Sequence, residues 1–133
     1  MRRETIYPEG WQETRGIYSP AIKVSIGSTD LIFVSGQQAR KDGDNTVSGS
    51  AAEQTEDIFR QISETLKAAG ANLDDVMKVQ IFLTDMNDFD EVSKVRDKYF
   101  ANNRPTSTLL EVNAMTRRGA KVEIEATALK ERI

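Results

Sequence analysis

The chain has 133 residues, 18 basic and 21 acidic, a formal net charge of -3, and neither cysteine nor histidine. The missing cysteines exclude a disulfide framework and thiolate chemistry, and the missing histidines remove the commonest metal ligand and the commonest general base. Acid–base work therefore falls to carboxylates, tyrosine, lysine or water; no zinc site and no cofactor are expected. The charges are interspersed, and the densest basic cluster is only Arg117, Arg118 and Lys121, so no nucleic-acid partner is expected. No apolar run approaches the roughly 18 residues of a membrane span, and no membrane association is expected. Met1-Arg2-Arg3 is followed by Glu4, Thr5 and Tyr7 rather than by an apolar stretch. No signal peptide is therefore expected, and the cytoplasm is the default compartment. The length favours one domain over residues 1–133, able to bury roughly two thirds of its unfolded surface.

Residues 10–20 carry Gly10, Gly16 and Pro20 and read as loop. Ala21–Ser25 is a short strand, and Leu31-Ile32-Phe33-Val34, ending at Ser35-Gly36, is a second. Asp42, Gly43, Asp44, Asn45 and Gly49 mark a polar loop over 40–49. Ser50 and Glu53 have the spacing of a capping box. Ile58, Phe59, Ile62 and Leu66 follow at helical spacing and Gly70 sits where a terminating glycine belongs, so a helix is predicted over about 51–69. Val76–Thr84 alternates as a strand. Asp88 and Glu91 repeat the capping spacing ahead of Phe89, Val92, Val95 and Tyr99, predicting a second helix over about 89–101. Asn103-Arg104-Pro105 breaks the chain. Ser107–Val112 and Lys121–Leu129 are the last two strands, and Arg117-Arg118-Gly119 between them reads as a solvated hairpin tip. In the last strand Val122, Ile124, Ala126 and Ala128 share one face, and Glu123, Glu125 and Thr127 the other.

The predicted order is β-β-α-β-α-β-β, with room for a further strand at the N-terminus. Two amphipathic helices can cover only one face of such a sheet, so the fold class is α+β, a two-layer sandwich. The other face must meet solvent or another subunit. Its mixture of Gln80, Thr84, Glu123 and Glu125 with Phe82 and Leu129 suits a wet subunit interface.

Several segments resemble one family. They are Ile32-Phe33-Val34-Ser35-Gly36-Gln37, Leu66-Lys67-Ala68-Ala69-Gly70-Ala71 and Asp74-Asp75-Val76-Met77-Lys78-Val79. Phe82-Leu83-Thr84-Asp85-Met86-Asn87-Asp88-Phe89, Arg104-Pro105-Thr106-Ser107 and Val122-Glu123-Ile124-Glu125-Ala126 complete the set. Each is weak alone; together, in this order from about Gly16 to Leu129, they are similar to the YjgF/RidA family, also called endoribonuclease L-PSP. The resemblance implies a chorismate-mutase-like fold with a mixed sheet and two helices on one face. It implies a homotrimer with a small-molecule cleft between each pair of subunits. It also implies hydrolysis of imines and enamines, such as 2-iminobutanoate, to 2-keto acids and ammonia.

Carried over by residue, the resemblance makes Glu123 the carboxylate that positions the attacking water, and Tyr18 a cleft tyrosine able to donate a proton to the leaving amine. Ser35 and Gly36 line the cleft floor, and Leu109 presents a backbone N–H to the ligand. Ser93 replaces the asparagine usual on the second helix. The family's deaminases hold the substrate carboxylate with an arginine two positions after the strand-opening proline; here that proline is Pro105 and the position is Ser107. A guanidinium offers a charged planar fork and a hydroxyl one neutral donor. The expected consequence is binding of a small 2-imino acid weakened by about one to three orders of magnitude, and a larger or neutral substrate instead. A guanidinium reaching the same spot from elsewhere would remove that expectation. Ser107 is not a candidate nucleophile, because no histidine serves it. The competing readings are a metabolite-binding trimer without turnover and an endoribonuclease, the latter disfavoured by the charge and the absence of histidine.

Overall fold

The computed structural model describes residues 1–11, 16–43 and 45–133. Residues 12–15 of the first predicted loop and Asp44 of the second lie outside the described residues. The elements are β1 (Arg2–Ile6), β2 (Ala21–Ile26), β3 (Thr29–Gln37), α1 (Ala51–Ala68), β4 (Val76–Leu83), α2 (Phe89–Phe100), β5 (Thr106–Glu111) and β6 (Val122–Glu131). The strands form one sheet in the order β1-β2-β3-β6-β4-β5. All neighbours are antiparallel except β4 and β5, which run parallel. The N-terminal strand that the sequence left open is present as an edge strand.

The helices pack on one face, as the sequence predicts. Alternation along β6 buries Val122, Ile124, Ala126 and Ala128 beneath them, with Ile32 and Val34 from β3 and Val79, Ile81 and Leu83 from β4. From α1, Ile58, Phe59, Ile62 and Leu66 complete this core; burying each such side chain contributes about 1.5–3 kcal/mol. Phe59 also locks the two helices together, with ring centroids 5.0 Å from Tyr99 and 5.3 Å from Phe100. Among the described residues no helix is long and apolar enough to cross a membrane.

The first capping prediction holds in detail. The Ser50 hydroxyl accepts from the Glu53 N–H, and the Glu53 carboxylate accepts from the Ser50 N–H. At the far end Gly70 takes φ +86°, so that the Ala71 N–H reaches the Leu66 carbonyl at 2.8 Å. The second capping prediction is corrected. Asp88 has helical backbone and makes no side-chain cap, because a 3₁₀ turn over Met86–Asp88 runs directly into α2. The capping carboxylate is Asp85, accepting from the Asn87 N–H, while Glu91 reaches across to accept from the Ala52 N–H at the start of α1. The hairpin at Arg117 is corrected too. Strand β4 lies between β5 and β6, and Arg117 is half-buried, its guanidinium donating to the carbonyls of Gln38 and Ala39. Its N–H and the Arg118 carbonyl serve Gln38 and Val47, so this loop is stitched to the segment after β3.

Candidate functional site

The face of the sheet away from the helices carries the residues of opposite parity: Phe33 on β3, Gln80 and Phe82 on β4, and Glu123, Glu125, Thr127 and Leu129 on β6. A shallow depression of about 200 Å³ lies on it, lined by Phe33, Lys78, Gln80, Glu125 and Thr127 among others. None of the candidate catalytic or ligand-binding residues lines it, although Gln80 and Glu125 of the expected interface face do. They fall instead into two groups at different places.

The first group centres on Glu123. Between Val34 and Gln37 the pairing of β3 with β6 slips, a bulge that absorbs Ser35 and Gly36. The bulge brings Gly36 under the Glu123 side chain so closely that a Cβ there would stand 2.7 Å from Oε2. Oε1 accepts a 2.7 Å hydrogen bond from Nε2 of the buried Gln38. The orientation of that amide is fixed from its other end, because Gln38 Oε1 accepts from the Arg117 N–H at 3.1 Å. Nε2 must then face Glu123 and the Thr116 hydroxyl, which it meets at 2.9 Å. Glu123 is thus a half-buried carboxylate held by one amide and packed on a glycine.

Ser35 belongs to the same group but spends its hydroxyl structurally, donating to the Ser19 carbonyl at 2.6 Å. With the Ser35 N–H donating to the Pro20 carbonyl at 3.0 Å, this ties the Tyr18 segment to the bulge. Tyr18 itself is exposed, its ring over Gly16. Ser35, Gly36 and Glu123 therefore mark one end of the site residues, to which the backbone just after Tyr18 is tied.

The second group lies on the outer strand. Ser107 pairs with Val79 and Leu109 with Ile81. Their side chains share the helix-facing parity, and Leu109 packs on the core. The Val112 N–H donates to the Leu83 carbonyl across β4. Alternation along the strand then turns the N–H groups of Ser107 and Leu109 outward, to the sheet's open edge. From α2 the Arg96 guanidinium reaches Ser107, with Nη1 3.5 Å from its hydroxyl. Ser93, one turn earlier on α2, is 8% exposed, and its hydroxyl has no hydrogen-bond partner among the described residues.

Within one chain the two groups do not meet. Glu123 and Ser107 sit on strands separated by β4, roughly 10 Å apart across the sheet, and their side chains leave opposite faces. Two participants were missed from the sequence. Gln38 follows the resemblance's Ser-Gly-Gln segment by one residue, and only the bulge reveals that it turns toward Glu123. Arg96 lies on a helix whose distance from β5 no local pattern encodes.

The family model described as Endoribonuclease L-PSP matches residues 12–130. The chain belongs to the endoribonuclease L-PSP family. A RutC family protein of Pyrococcus abyssi is 36% identical over 132 residues, covering 98% of this chain and 100% of that protein. The human 2-iminobutanoate/2-iminopropanoate deaminase is 34% identical over 116 residues, covering 86% of this chain and 81% of that protein. Among solved structures, a YjgF/YER057c/UK114 family member from Mycobacterium tuberculosis superposes with a TM-score of 0.79 at 35% identity, covering 96% of this chain and 98% of that one. The architecture is the chorismate-mutase-like α+β fold that the sequence resemblance implies. Beside Ser107 the structure sets the Arg96 guanidinium, which comes from a helix.

Proposed function

We propose that the protein is a hydrolytic deaminase of imines or enamines, working as a cytoplasmic homotrimer whose clefts lie between subunits. The observation that carries the reading is the Glu123 carboxylate, oriented by Gln38 over Gly36 on the sheet face that the helices leave open. Kinship with a deaminase of 2-iminobutanoate and 2-iminopropanoate supports the substrate class. The division of the site supports the assembly: a cleft that uses both groups has to take Glu123 from one copy and Ser107 and Leu109 from the next. The apolar residues Phe33, Leu110 and Leu129 on the exposed strands give such a contact something to bury.

In this reading Glu123 holds a water against the imine carbon. The water oxygen bonds to the carbon of the protonated imine as its proton passes to the carboxylate, giving a neutral carbinolamine. The nitrogen then takes a proton from Glu123 or from the Tyr18 hydroxyl, the carbon–nitrogen bond breaks as the carbinol O–H returns a proton to the group that gave one, and ammonia and a keto acid leave. One water is consumed, and no oxidant or reductant is required. RNA cleavage has less support, since the chain has 0 His and a net charge of -3.

On the sequence alone, Ser107 in place of arginine argues for a larger or neutral substrate. The Arg96 guanidinium beside it changes that inference, because positive charge is present at the position after all. The test is to generate 2-iminobutanoate in solution and follow keto-acid and ammonia formation with and without the protein. Acceleration that is lost in Glu123→Gln supports the reading. A protein that binds the keto acid but never accelerates hydrolysis is a metabolite-binding trimer instead.

A further inference from the structure

We propose that Arg96 is the carboxylate-binding residue of this chain, holding the acid group of the ligand against the open edge of β5. The inference rests on the deaminase reading for its substrate, a 2-imino acid, and on the structure for its geometry. The Arg96 side chain is only 22% exposed, yet among the described residues its one ion pair, through Nε to Asp97 at 3.0 Å, is with a neighbour that is 69% exposed. A largely covered guanidinium paired only with a solvated carboxylate is weakly neutralised, since water screens most of that attraction.

Around it are groups that lack an anion. The Ser107 hydroxyl is 3.5 Å from Nη1. The N–H groups of Ser107 and Leu109 point outward along an edge that no strand among the described residues covers. One guanidinium, two N–H groups and one hydroxyl form a donor set suited to a planar carboxylate.

The arrangement also explains why the residue on β5 is small. An arginine at position 107 would compete with Arg96 for the same space and add a like charge. Serine leaves room for the helix arginine and adds a hydroxyl donor. The fork approaches from α2 rather than from the strand, so the acid end of the ligand is read by a residue that local sequence comparison around Pro105 does not show.

The experiment measures binding separately from turnover. Titrate 2-oxobutanoate, the product acid, into the wild-type protein, Arg96→Leu and Arg96→Lys in a calorimeter. In parallel, measure deamination of 2-iminobutanoate and of its uncharged amide analogue. Arg96→Leu is expected to weaken 2-oxobutanoate binding by about 10-fold or more and to raise KM for the imino acid with little change for the amide. Arg96→Lys should recover part of the loss, keeping the charge without the fork. Equal binding of 2-oxobutanoate by wild type and Arg96→Leu would overturn the proposal, as would absence of binding by the wild type. If the acid binds through Arg96 but no variant turns over imine, the anion site stands and the deaminase reading fails.

Discussion

The two ends of the molecule are built on different principles. Around Glu123 the support comes from its own neighbourhood in the fold: a bulge in β3 supplies the floor, Gln38 orients the carboxylate, and the Arg117 loop orients Gln38. Around Ser107 the chain stops short. Among the described residues the strand edge there is uncovered, and a guanidinium leans on a solvated neighbour. In the deaminase reading proposed above, the first is the preorganised reactive group and the second the donors that meet the ligand's acid group. Chemistry needs its charge held still before the substrate arrives, whereas binding draws on groups that the substrate itself will satisfy.

The sharpest way to break the first end is Glu123→Gln. It preserves shape and removes the base, and is expected to lower kcat by about 100-fold or more while leaving the melting temperature near its wild-type value, checked by steady-state kinetics and thermal denaturation. Next is the support beneath it. Gly119 has φ +83° and a Cβ there would meet the Val47 carbonyl oxygen at 2.1 Å. Gly119→Ala should cost about 3 kcal/mol or more, read from urea unfolding, because strain and overlap add. Gly36→Ala is a finer probe. Its Cβ would displace the Glu123 carboxylate rather than the backbone, so kcat should fall by about 10-fold with stability little changed.

The smallest expected effect lies away from both ends, where Glu56 joins Lys98 and the Tyr99 hydroxyl between the helices. The hydrogen bonds from Lys98 and Tyr99 hold Glu56 below its ordinary 4.5, so its contribution is present above that pH and lost as the pH falls through the lowered value. Burial, with Glu56 beside it, pushes Tyr99 up to about 12 from 10.0, so its contribution is present below pH 10.0 and lost as the pH rises toward about 12. Thermal denaturation across pH should therefore be flat between these limits, and Glu56→Gln should flatten the acid side.

Much of this was readable in the sequence, and the reasons for the exceptions are physical. Helices, strands and faces follow from side-chain period, and α1 announces both its ends through Ser50, Glu53 and Gly70. Asp88 misled because a cap and the last residue of a 3₁₀ turn favour the same side chain. Strand order is not encoded locally, so the sequence reads the Arg117 loop as a hairpin tip although β4 lies between the strands it joins. The resemblance names Glu123, Gly36, Ser35 and Tyr18; the structure packs Gly36 beneath Glu123 and bonds Ser35 to the backbone of Ser19 beside Tyr18. That Ser107 and Leu109 stand on the other side of the sheet follows from pairing with β4, which no spacing encodes. Gln38 and Arg96 were invisible for the same reason.

The central claim is that each working site takes Glu123 from one copy and Arg96 from another, and mixing two inactive variants tests it most directly. Glu123→Gln and Arg96→Glu are each expected to be nearly inactive toward 2-iminobutanoate. Co-refolded in equal amounts into random trimers, they should leave about a quarter of the clefts with both intact residues and recover about that share of wild-type activity. Recovery of nothing beyond the sum of the two variants alone would contradict a site shared between copies.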